Sequence, residues 1–349
     1  MRTPIQIGGH LVGPGQPTYI ISEMSANHSH SFEHAVGIVE AAKASGADAI
    51  KLQTYTPDTL TIDCDNECFR IQGTAWEGRT LYDLYSEAYM PWEWQPKLKQ
   101  VANKLGMDLF SSPFDDTAVD FLESMDVPAY KVASFEIIDT SLLWRIARTS
   151  KPVILSTGMA TLAEIDEAVR TLHAAGCTQL ALLKCTSAYP ALPDEMNLRT
   201  IPHLMQAFDV PVGLSDHSLG IAVPVAAVAL GACIVEKHFT LSRSDPSPDS
   251  AFSLEPHEFR AMVEAVRVAE RAMGFVTYAT TENETATRLL RRSLFAVADI
   301  QMGEPFTAEN VRSIRPGCGL CPSLLEQICR HRAARDIKRG TPLDWRLIA

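Results

Sequence analysis

Residues 212–238 read VGLSDH-SLGIAVPVAAVALGA-CIVEKH and contain two short apolar runs that both end in polar residues. The runs Val212–Ser215 and Cys233–Lys237 lack the apolar–polar alternation of half-exposed strands. Continuous apolar runs of this length are typical of parallel strands that are covered on both faces. The segment therefore predicts two neighbouring parallel strands, with His217 and His238 directly after them.

The same pattern recurs along the first 240 residues. Six further runs precede these two: Tyr19–Ser22, Ala49–Gln53, Asp108–Ser111, Ala129–Val132, Val153–Ser156 and Leu180–Lys184. Stretches with helical period separate them, such as residues 32–42 and the stretch that Thr161 and Glu164 open as a capping box. Eight alternating strand and helix units favour an α/β fold with a closed (β/α)₈ barrel.

The 349-residue length accommodates such a barrel and one small further domain. We predict a catalytic barrel domain over residues 1–276, ending with a helix at Pro256–Met273, then a linker over 277–290 and a small β-rich domain over 291–349. The long connection over residues 54–90 carries the aromatic residues Trp76, Tyr82, Tyr85 and Tyr89, so we expect it to be ordered and to lie over the barrel mouth.

Composition excludes several classes of protein. Apolar residues make up 46% of the chain, but no uninterrupted apolar stretch is long enough for a membrane span, and the N-terminus lacks the apolar region of a secretion signal. Eight cysteines without regular pairing indicate free thiols and a cytoplasmic protein. The net charge of −11 argues against nucleic acid as a partner.

The charge is unevenly distributed. Residues 285–349 hold 11 Lys and Arg against 6 Asp and Glu, a net of +5, whereas the remaining 284 residues hold 20 against 36, a net of −16. Either the composition simply drifts along the chain, or the basic C-terminal domain contacts an acidic surface or supplies cations to a site in the barrel.

Polar residues cluster at the C-terminal ends of the predicted strands, where (β/α)₈ enzymes hold their reacting groups. His217 and His238 follow neighbouring strands, and two converging imidazoles suit a divalent ion of the Mn²⁺, Zn²⁺ or Co²⁺ kind. Water and substrate would complete its coordination and leave an open Lewis-acid site. The alternative is two ordinary histidines that form hydrogen bonds in loops.

Two lysines lie in apolar strands, and a buried ammonium needs an anion or a carbonyl as partner. Lys51 and Lys131 either clamp a phosphate and a carboxylate or provide a Schiff-base nucleophile. Four nearby serines favour the first interpretation, because a ring of hydroxyl donors suits a phosphorylated acid: Ser112, Ser134, Ser156 and Ser215. Acid–base candidates are Glu23, Glu136 and Glu236, of which at least one is expected to have only a salt-bridge role.

Several motifs together resemble the sialic acid synthase family. They are IISEMSANH (20–28), IKLQT (50–54), FSSPF (110–114), KVAS (131–134), GLSDH (213–217) and EKHFT (236–240). In the C-terminal domain, RRSL (291–294) and IRPG (314–317) resemble that family's antifreeze-like (SAF) domain. The resemblance covers nearly the whole chain.

The resemblance implies condensation of phosphoenolpyruvate with an amino sugar, with release of phosphate by C–O cleavage. It implies a divalent metal, Mn²⁺, Mg²⁺ or Co²⁺, at His217 and His238. Phosphoenolpyruvate would be held by Lys51, Ser112, Lys131, Ser134, Ser156, Ser187 and Ser215. The sugar would meet Gln53, Glu136, Tyr189 and Asp249, together with Arg315 from the other subunit of a domain-swapped homodimer.

Two departures from the sialic acid synthase pattern concern the sugar. Ser187 stands where those enzymes carry Asn, and Ser250 stands where they carry His after Pro-Asp. Together with motifs such as LQTYTPD (52–58) and CTSAYP (185–190), they favour a 2,4-diacetamido-2,4,6-trideoxy-altrose over N-acetylmannosamine. Synthesis of N-acetylneuraminic or legionaminic acid is the alternative within the family. A Schiff-base aldolase and a non-catalytic sugar-binding protein are the alternatives outside it.

Overall fold

The eight predicted apolar runs form a closed barrel of parallel strands. The computed structural model describes residues 3–74 and 76–349, and its barrel strands follow the order β10-β3-β4-β5-β6-β7-β8-β9. The strands in chain order are β1 Ile5–Ile7, β2 His10–Val12, β3 Tyr19–Glu23, β4 Ala49–Thr54, β5 Asp108–Pro113, β6 Tyr130–Val132, β7 Val153–Ser156, β8 Leu180–Cys185, β9 Val212–Asp216, β10 Ile234–His238, β11 Ser293–Ala296 and β12 Val311–Ile314. The predicted barrel is therefore confirmed, and each strand lies within one or two residues of its predicted run.

Helices connect the strands and cover the outside of the barrel. They are α1 Phe32–Ala44, α2 Pro57–Leu60, α3 Leu81–Ala88, α4 Gln95–Lys104, α5 Asp116–Ser124, α6 Thr140–Ala147, α7 Leu162–Ala174, α8 Thr200–Phe208, α9 Ala222–Ala229, α10 Pro256–Met273, α11 Glu282–Arg288 and α12 Leu325–Ile328. The capping box at the start of α7 is present as predicted. Helix α10 has the predicted bounds and buries one face through Phe259, Met262, Val263 and Val266, at the i, i+3, i+4, i+7 spacing of an amphipathic helix.

A short hairpin precedes the barrel, and the sequence patterns did not predict it. Strands β1 and β2 pair antiparallel, and His10 Nδ1 lies 3.0 Å from the Asp108 carboxylate at the start of β5. Gly8 in the turn has φ +52°, and a Cβ there would collide with Asp108. The hairpin thus packs at the N-terminal end of a barrel strand, opposite the end that carries the polar residues.

The long connection after β4 is more regular than expected, because α2 and α3 lie within it. Its Trp76 packs against Tyr189, with ring centroids 5.6 Å apart, and donates a hydrogen bond to the Pro248 carbonyl at 3.2 Å. Tyr189 and Pro248 both follow the C-terminal ends of barrel strands, so this part of the connection lies at the barrel mouth.

The chain divides into two compact units, one up to Gly274 and one over residues 275–349. The second unit has its own core, which includes Leu294, Phe306, Val311 and Leu343, and an antiparallel pair of β11 with β12. Helix α11 lies in the stretch that was predicted to be a linker. All eight cysteines are free thiols. Within the described ranges, no helix has the length and apolarity to cross a bilayer.

Candidate active site

Parallel strands bring their C-terminal ends to one rim, and the predicted polar residues of the barrel gather there. In the pairing register, Glu23 at the end of β3 lies beside Lys51 of β4 on one side and His238 of β10 on the other. Glu23, Lys51 and His238 are buried. So are the following residues of the same rim: Ser112, Lys131, Ser134, Ser156, Ser215, Glu236 and Asp249. The site is thus a buried polar cluster inside one rim of the barrel.

An ion-pair network occupies one side of this rim. The Lys51 ammonium lies 2.7 Å from Glu23 Oε2 and 3.7 Å from Glu236 Oε1, and it donates to Ser112 Oγ at 3.4 Å. Ser215 Oγ donates to Glu236 Oε1 at 3.3 Å. Burial acts to lower the pKa of Lys51, but Glu23 and Glu236 outweigh it and raise the pKa. Lys51 is therefore held as a cation between two carboxylates.

Lys131, unlike Lys51, pairs with no carboxylate among the described residues. Its ammonium donates to the Val132 carbonyl at 2.9 Å and to Ser156 Oγ at 2.7 Å, and it forms no ion pair with any described residue. Burial lowers the pKa of Lys131 from its ordinary value. A buried ammonium without a carboxylate partner suits an anionic ligand.

The pKa values of the two glutamates in the network are shifted in opposite directions. Burial raises the pKa of Glu23 to about 7. The Lys51 charge acts to lower this pKa, and the Glu236 charge acts to raise it. Burial acts to raise the pKa of Glu236 as well, but Lys131 and Lys51 outweigh it and lower the pKa. Near neutral pH, Lys51 thus lies between a carboxylate that stays ionised, Glu236, and one that exchanges a proton, Glu23.

A small cradle forms on the opposite side, where Ser134 and Ser187 converge over Gly158. The Gly158 N–H donates to Ser134 Oγ at 3.1 Å. A Cβ at Gly158 would lie 2.2 Å from Ser187 Oγ and 2.7 Å from Ser134 Oγ, so only glycine lets both hydroxyls occupy this space. Two hydroxyls that close on one backbone position suit the oxygens of a phosphate or carboxylate.

Glu136, which is half-buried, is the second carboxyl whose pKa lies near neutrality. No described group forms a hydrogen bond with its buried Oε2. Burial raises the pKa of Glu136 to about 7, and the charges of Lys131 and Lys51 only partly offset this effect. Glu136 and Glu23 can both exchange a proton near pH 7, so the geometry leaves both as acid–base candidates.

The two histidines predicted to bind a metal lie together, with ring centroids 5.3 Å apart. His217 Nδ1 bonds to the Thr186 carbonyl at 2.9 Å, which orients the ring and leaves Nε2 for a ligand. His238 Nδ1 is buried without a hydrogen-bond partner in the described structure, and burial holds the pKa of His238 well below its ordinary value. Burial acts to lower the pKa of His217 as well, but Cys185 outweighs it and raises the pKa. Two imidazoles this close together offer nitrogen ligands to one divalent ion, so these residues fit a metal.

Aromatic rings surround the histidines. Tyr189 lies 4.3 Å from the His217 ring and 5.3 Å from Phe252, measured between centroids, and Phe252 lies 5.1 Å from His238. The predicted sugar ligands Gln53 and Asp249 lie at the same rim: Gln53 Nε2 donates to Glu23 Oε1 at 2.9 Å, and Asp249 Oδ2 lies 3.9 Å from His238 Nδ1. Apolar ring faces beside hydrogen-bonding groups suit a sugar with methyl substituents.

Arg315 differs from the other predicted site residues. It is exposed and lies in the second unit, one residue after β12. Its contact with the sugar therefore remains a prediction.

Four further polar residues at or near the strand ends stabilise the barrel instead: Asn27, His28, Asp216 and Lys237. Lys237 is buried and pairs with Asp216 at 2.5 Å, which joins the strand carrying His238 to the strand carrying His217. Asn27 donates to the Phe239 carbonyl at 2.9 Å. His28 is fully buried and packs edge-on against Trp94, 5.9 Å between centroids. Their side chains stabilise the rim and do not face the ion-pair network.

The sequence patterns missed other residues at the rim. Ser25 bonds to Gln53 and Asp249, Gly158 makes the cradle, and Cys185 lies 3.9 Å from His217 Nδ1. Burial acts to raise the pKa of Cys185, but His217 outweighs it and lowers the pKa to about 6. Each of these three lies within three residues after the end of a predicted strand, which is the signal that could have indicated them.

Comparison with known proteins identifies the family. The NeuB family model matches residues 38–278, and the SAF domain model matches residues 291–349. The chain belongs to the NeuB family. Membership in this family, which the motifs predicted, is therefore confirmed, and so is the SAF domain.

Two relatives and one solved structure locate the chain within the NeuB family. The pseudaminic acid synthase of Campylobacter jejuni is 47% identical over 93% of this chain and 95% of its own length. The pseudaminic acid synthase of Helicobacter pylori is 42% identical over 94% of this chain and 97% of its own. The crystal structure of the sialic acid synthetase from Leptospira borgpetersenii, in complex with citrate, has a TM-score of 0.74 at 30% identity over 82% of this chain and 95% of its own.

Proposed function

We propose that this NeuB-family chain is a transferase that condenses phosphoenolpyruvate with 2,4-diacetamido-2,4,6-trideoxy-β-L-altropyranose and water. The products are pseudaminic acid and phosphate. The observation that carries the proposal is the buried pair of Lys51 and Lys131 at the rim that also holds His217 and His238. The names of the relatives at 42% and 47% identity support the choice of sugar.

Phosphoenolpyruvate carries a phosphate and a carboxylate, and the rim offers cations and hydroxyls to both. Lys131 pairs with no described carboxylate, so it attracts one anionic group of the substrate more strongly than Lys51 does. Lys51, which lies between Glu23 and Glu236, is available to the other anionic group. The hydroxyls of Ser112, Ser134, Ser156, Ser187 and Ser215 complete the donor set. Such preorganised donors hold the enol carbon in register with the sugar and stabilise charge that develops during the reaction.

The proton transfers fall to the two carboxyls with pKa values near 7. The enol C3 of phosphoenolpyruvate forms a C–C bond to the aldehyde carbon of the open-chain sugar, and the aldehyde oxygen takes up a proton and becomes a hydroxyl. This step leaves cationic character at C2, where water adds. Glu23 or Glu136 removes a proton from that water, and the tetrahedral intermediate then expels phosphate by cleavage of the C–O bond. The buried cluster also excludes bulk water from the cationic carbon.

His217 and His238 would hold a divalent ion such as Mn²⁺, Mg²⁺ or Co²⁺. When bound, the ion supplies Lewis acidity toward the aldehyde oxygen. Among residues 3–74 and 76–349, no set of three or more His, Cys, Asp or Glu is arranged as a metal site. The remaining coordination positions would belong to water or substrate.

An acceptor screen tests the proposed function. The enzyme, with phosphoenolpyruvate and Mn²⁺, is given the altro-configured sugar, its manno-configured isomer or N-acetylmannosamine, and phosphate release is followed. We expect the altro sugar to react at least about tenfold more efficiently, equivalent to ~1.4 kcal/mol of discrimination. Equal or faster reaction of another sugar would contradict the substrate assignment. Sugar affinity without phosphate release would indicate a binding protein, and borohydride trapping of Lys51 or Lys131 would indicate an aldolase.

We also propose that the enzyme is a cytoplasmic homodimer in which each SAF domain covers the barrel of the other subunit. The net charges of +5 over residues 285–349 and −16 over the rest support this pairing, because opposite fields favour association. Eight free cysteines support a reducing compartment. In such a dimer, Arg315 completes the site of the neighbouring barrel.

Arg315→Ala should raise the KM for the sugar by about 10- to 100-fold, the loss expected for a charged hydrogen bond of 1.5–3 kcal/mol. Arg312→Ala is the matched control, because Arg312 is also exposed and lies in β12, three residues before Arg315. It should leave the KM for the sugar unchanged. Mixing Arg315→Ala with Lys131→Met should restore about a quarter of the wild-type activity, because hybrid dimers hold one intact site. No recovery on mixing would show that the arginine acts within its own chain.

A further inference from the structure

Ser25 lies two residues after the end of β3 and has an unusual backbone conformation. It is buried and has φ +46°, in the left-handed region that non-glycine residues seldom adopt. A serine persists in this conformation only where the surrounding contacts fix it. Its contacts therefore indicate what the conformation provides.

The Ser25 hydroxyl joins two side chains from distant parts of the chain. It forms a short hydrogen bond with Asp249 Oδ2, and it lies 2.9 Å from Gln53 Nε2. The backbone of Ala26, the next residue, also bonds to the Asp249 carboxylate. Ser25 is thus the link between the two rim residues that we assign to the sugar.

The direction of these hydrogen bonds follows from chemistry. Gln53 Nε2 also bonds to Glu23 Oε1, and only an N–H can face a carboxylate oxygen. The Gln53 amide therefore gives one hydrogen to Glu23 and the other to Ser25, and Ser25 donates its own hydrogen to Asp249. This chain fixes which way the amide points. No described donor bonds to Gln53 Oε1, which leaves that oxygen as an acceptor for a ligand.

We propose that Ser25 is a positioning residue of the acceptor pocket, which orients Gln53 and Asp249 toward the sugar. By fixing Gln53 with its oxygen free and Asp249 at a set distance, it presents two acceptors to the N–H and O–H groups of the sugar. The role rests on the proposed function, but the positioning of Gln53 and Asp249 stands apart from it.

Two substitutions separate the hydroxyl from the backbone. Ser25→Ala removes the hydroxyl, and the alanine is still strained by the left-handed conformation. Ser25→Gly also removes the hydroxyl, but glycine adopts this conformation without strain. The Ser25→Gly protein should therefore have a higher melting temperature than the Ser25→Ala protein. Both should raise the KM for the acetamido sugar at least tenfold, with the KM for phosphoenolpyruvate changed less than twofold.

Ser150 provides a matched control, because it is exposed, has φ +60° and lies between α6 and β7, at the opposite end of the barrel. Ser150→Ala and Ser150→Gly should show the same difference in melting temperature and no change in either KM. An unchanged KM for the sugar in both Ser25 variants would overturn the proposal. So would an equal rise in both KM values, which indicates only a general structural role.

A crystal structure of Ser25→Gly tests the positioning without any assay. We expect the side chains of Gln53 and Asp249 to leave the positions they have beside Ser25. If both stay in place, Ser25 does not position them, whatever the activity shows. If they move while the wild-type enzyme uses none of the acetamido sugars, the proposed function fails and the positioning role survives.

Discussion

Lys131→Met should abolish most phosphate release, by about 10²–10³-fold, and leave the protein folded. The loss follows from removing a preorganised donor to the anionic substrate, a change that typically costs this much. The fold should persist, because the Lys131 ammonium forms no ion pair with a described carboxylate and donates only to Val132 and Ser156. Methionine removes a buried charge, but it also removes a cation that lowers the pKa of Glu236, so we expect the free energy of unfolding to change by no more than about 1 kcal/mol.

Lys51→Met is the informative comparison, because Lys51 sits between Glu23 and Glu236. Its removal leaves two buried carboxylates without their cation, so activity and stability should both fall, the latter by about 3 kcal/mol at pH 7. Denaturant unfolding and a phosphate assay measure the two effects, with Lys43→Met, whose ammonium bonds to a surface carbonyl, as the control. A Lys131→Met enzyme that keeps its activity would contradict the assignment of this lysine to the substrate.

His238→Ala and His217→Ala should each weaken Mn²⁺ binding at least about 100-fold and lower phosphate release to a similar degree. Each substitution removes one of two imidazoles, and even the loss of a group that only supports a metal ligand costs 10- to 100-fold. Electron paramagnetic resonance of free Mn²⁺ measures the affinity without relying on activity. The expected wild-type result is one ion bound per chain, with turnover lost after chelation and restored by added metal.

His203→Ala is the control for nonspecific binding, since that histidine is exposed on α8. It should bind Mn²⁺ as the wild type does. Wild-type affinity and turnover in both His217→Ala and His238→Ala would rule out a metal at this pair, and the two imidazoles would then act only through hydrogen bonds.

The barrel was predictable because its signals are local. Continuous apolar runs indicated each barrel strand, and Pro256 with Met273 bounded α10 as predicted. The β1–β2 hairpin was missed because its strands have three residues each, too few for a periodic pattern. Helices α3 and α11 were missed because they lie among polar residues and bury little apolar surface.

The site was predictable only as far as the strand ends. Sequence position shows that Glu236 and Lys237 both end a strand, but only the register shows that Glu236 faces Lys51 while Lys237 pairs with Asp216. The contacts of Ser25 depend on Asp249, 224 residues away, and no local pattern predicts them. Interactions over such sequence distances exist only once the barrel closes.

The reaction in ¹⁸O-labelled water tests the central claim most directly. The enzyme condenses phosphoenolpyruvate with the diacetamido sugar in labelled water, and mass spectrometry follows both products. If water adds at C2 and phosphate leaves by C–O cleavage, the label appears in the nine-carbon sugar acid and the phosphate remains unlabelled. Label in the phosphate would show P–O cleavage and contradict the mechanism assigned to this rim.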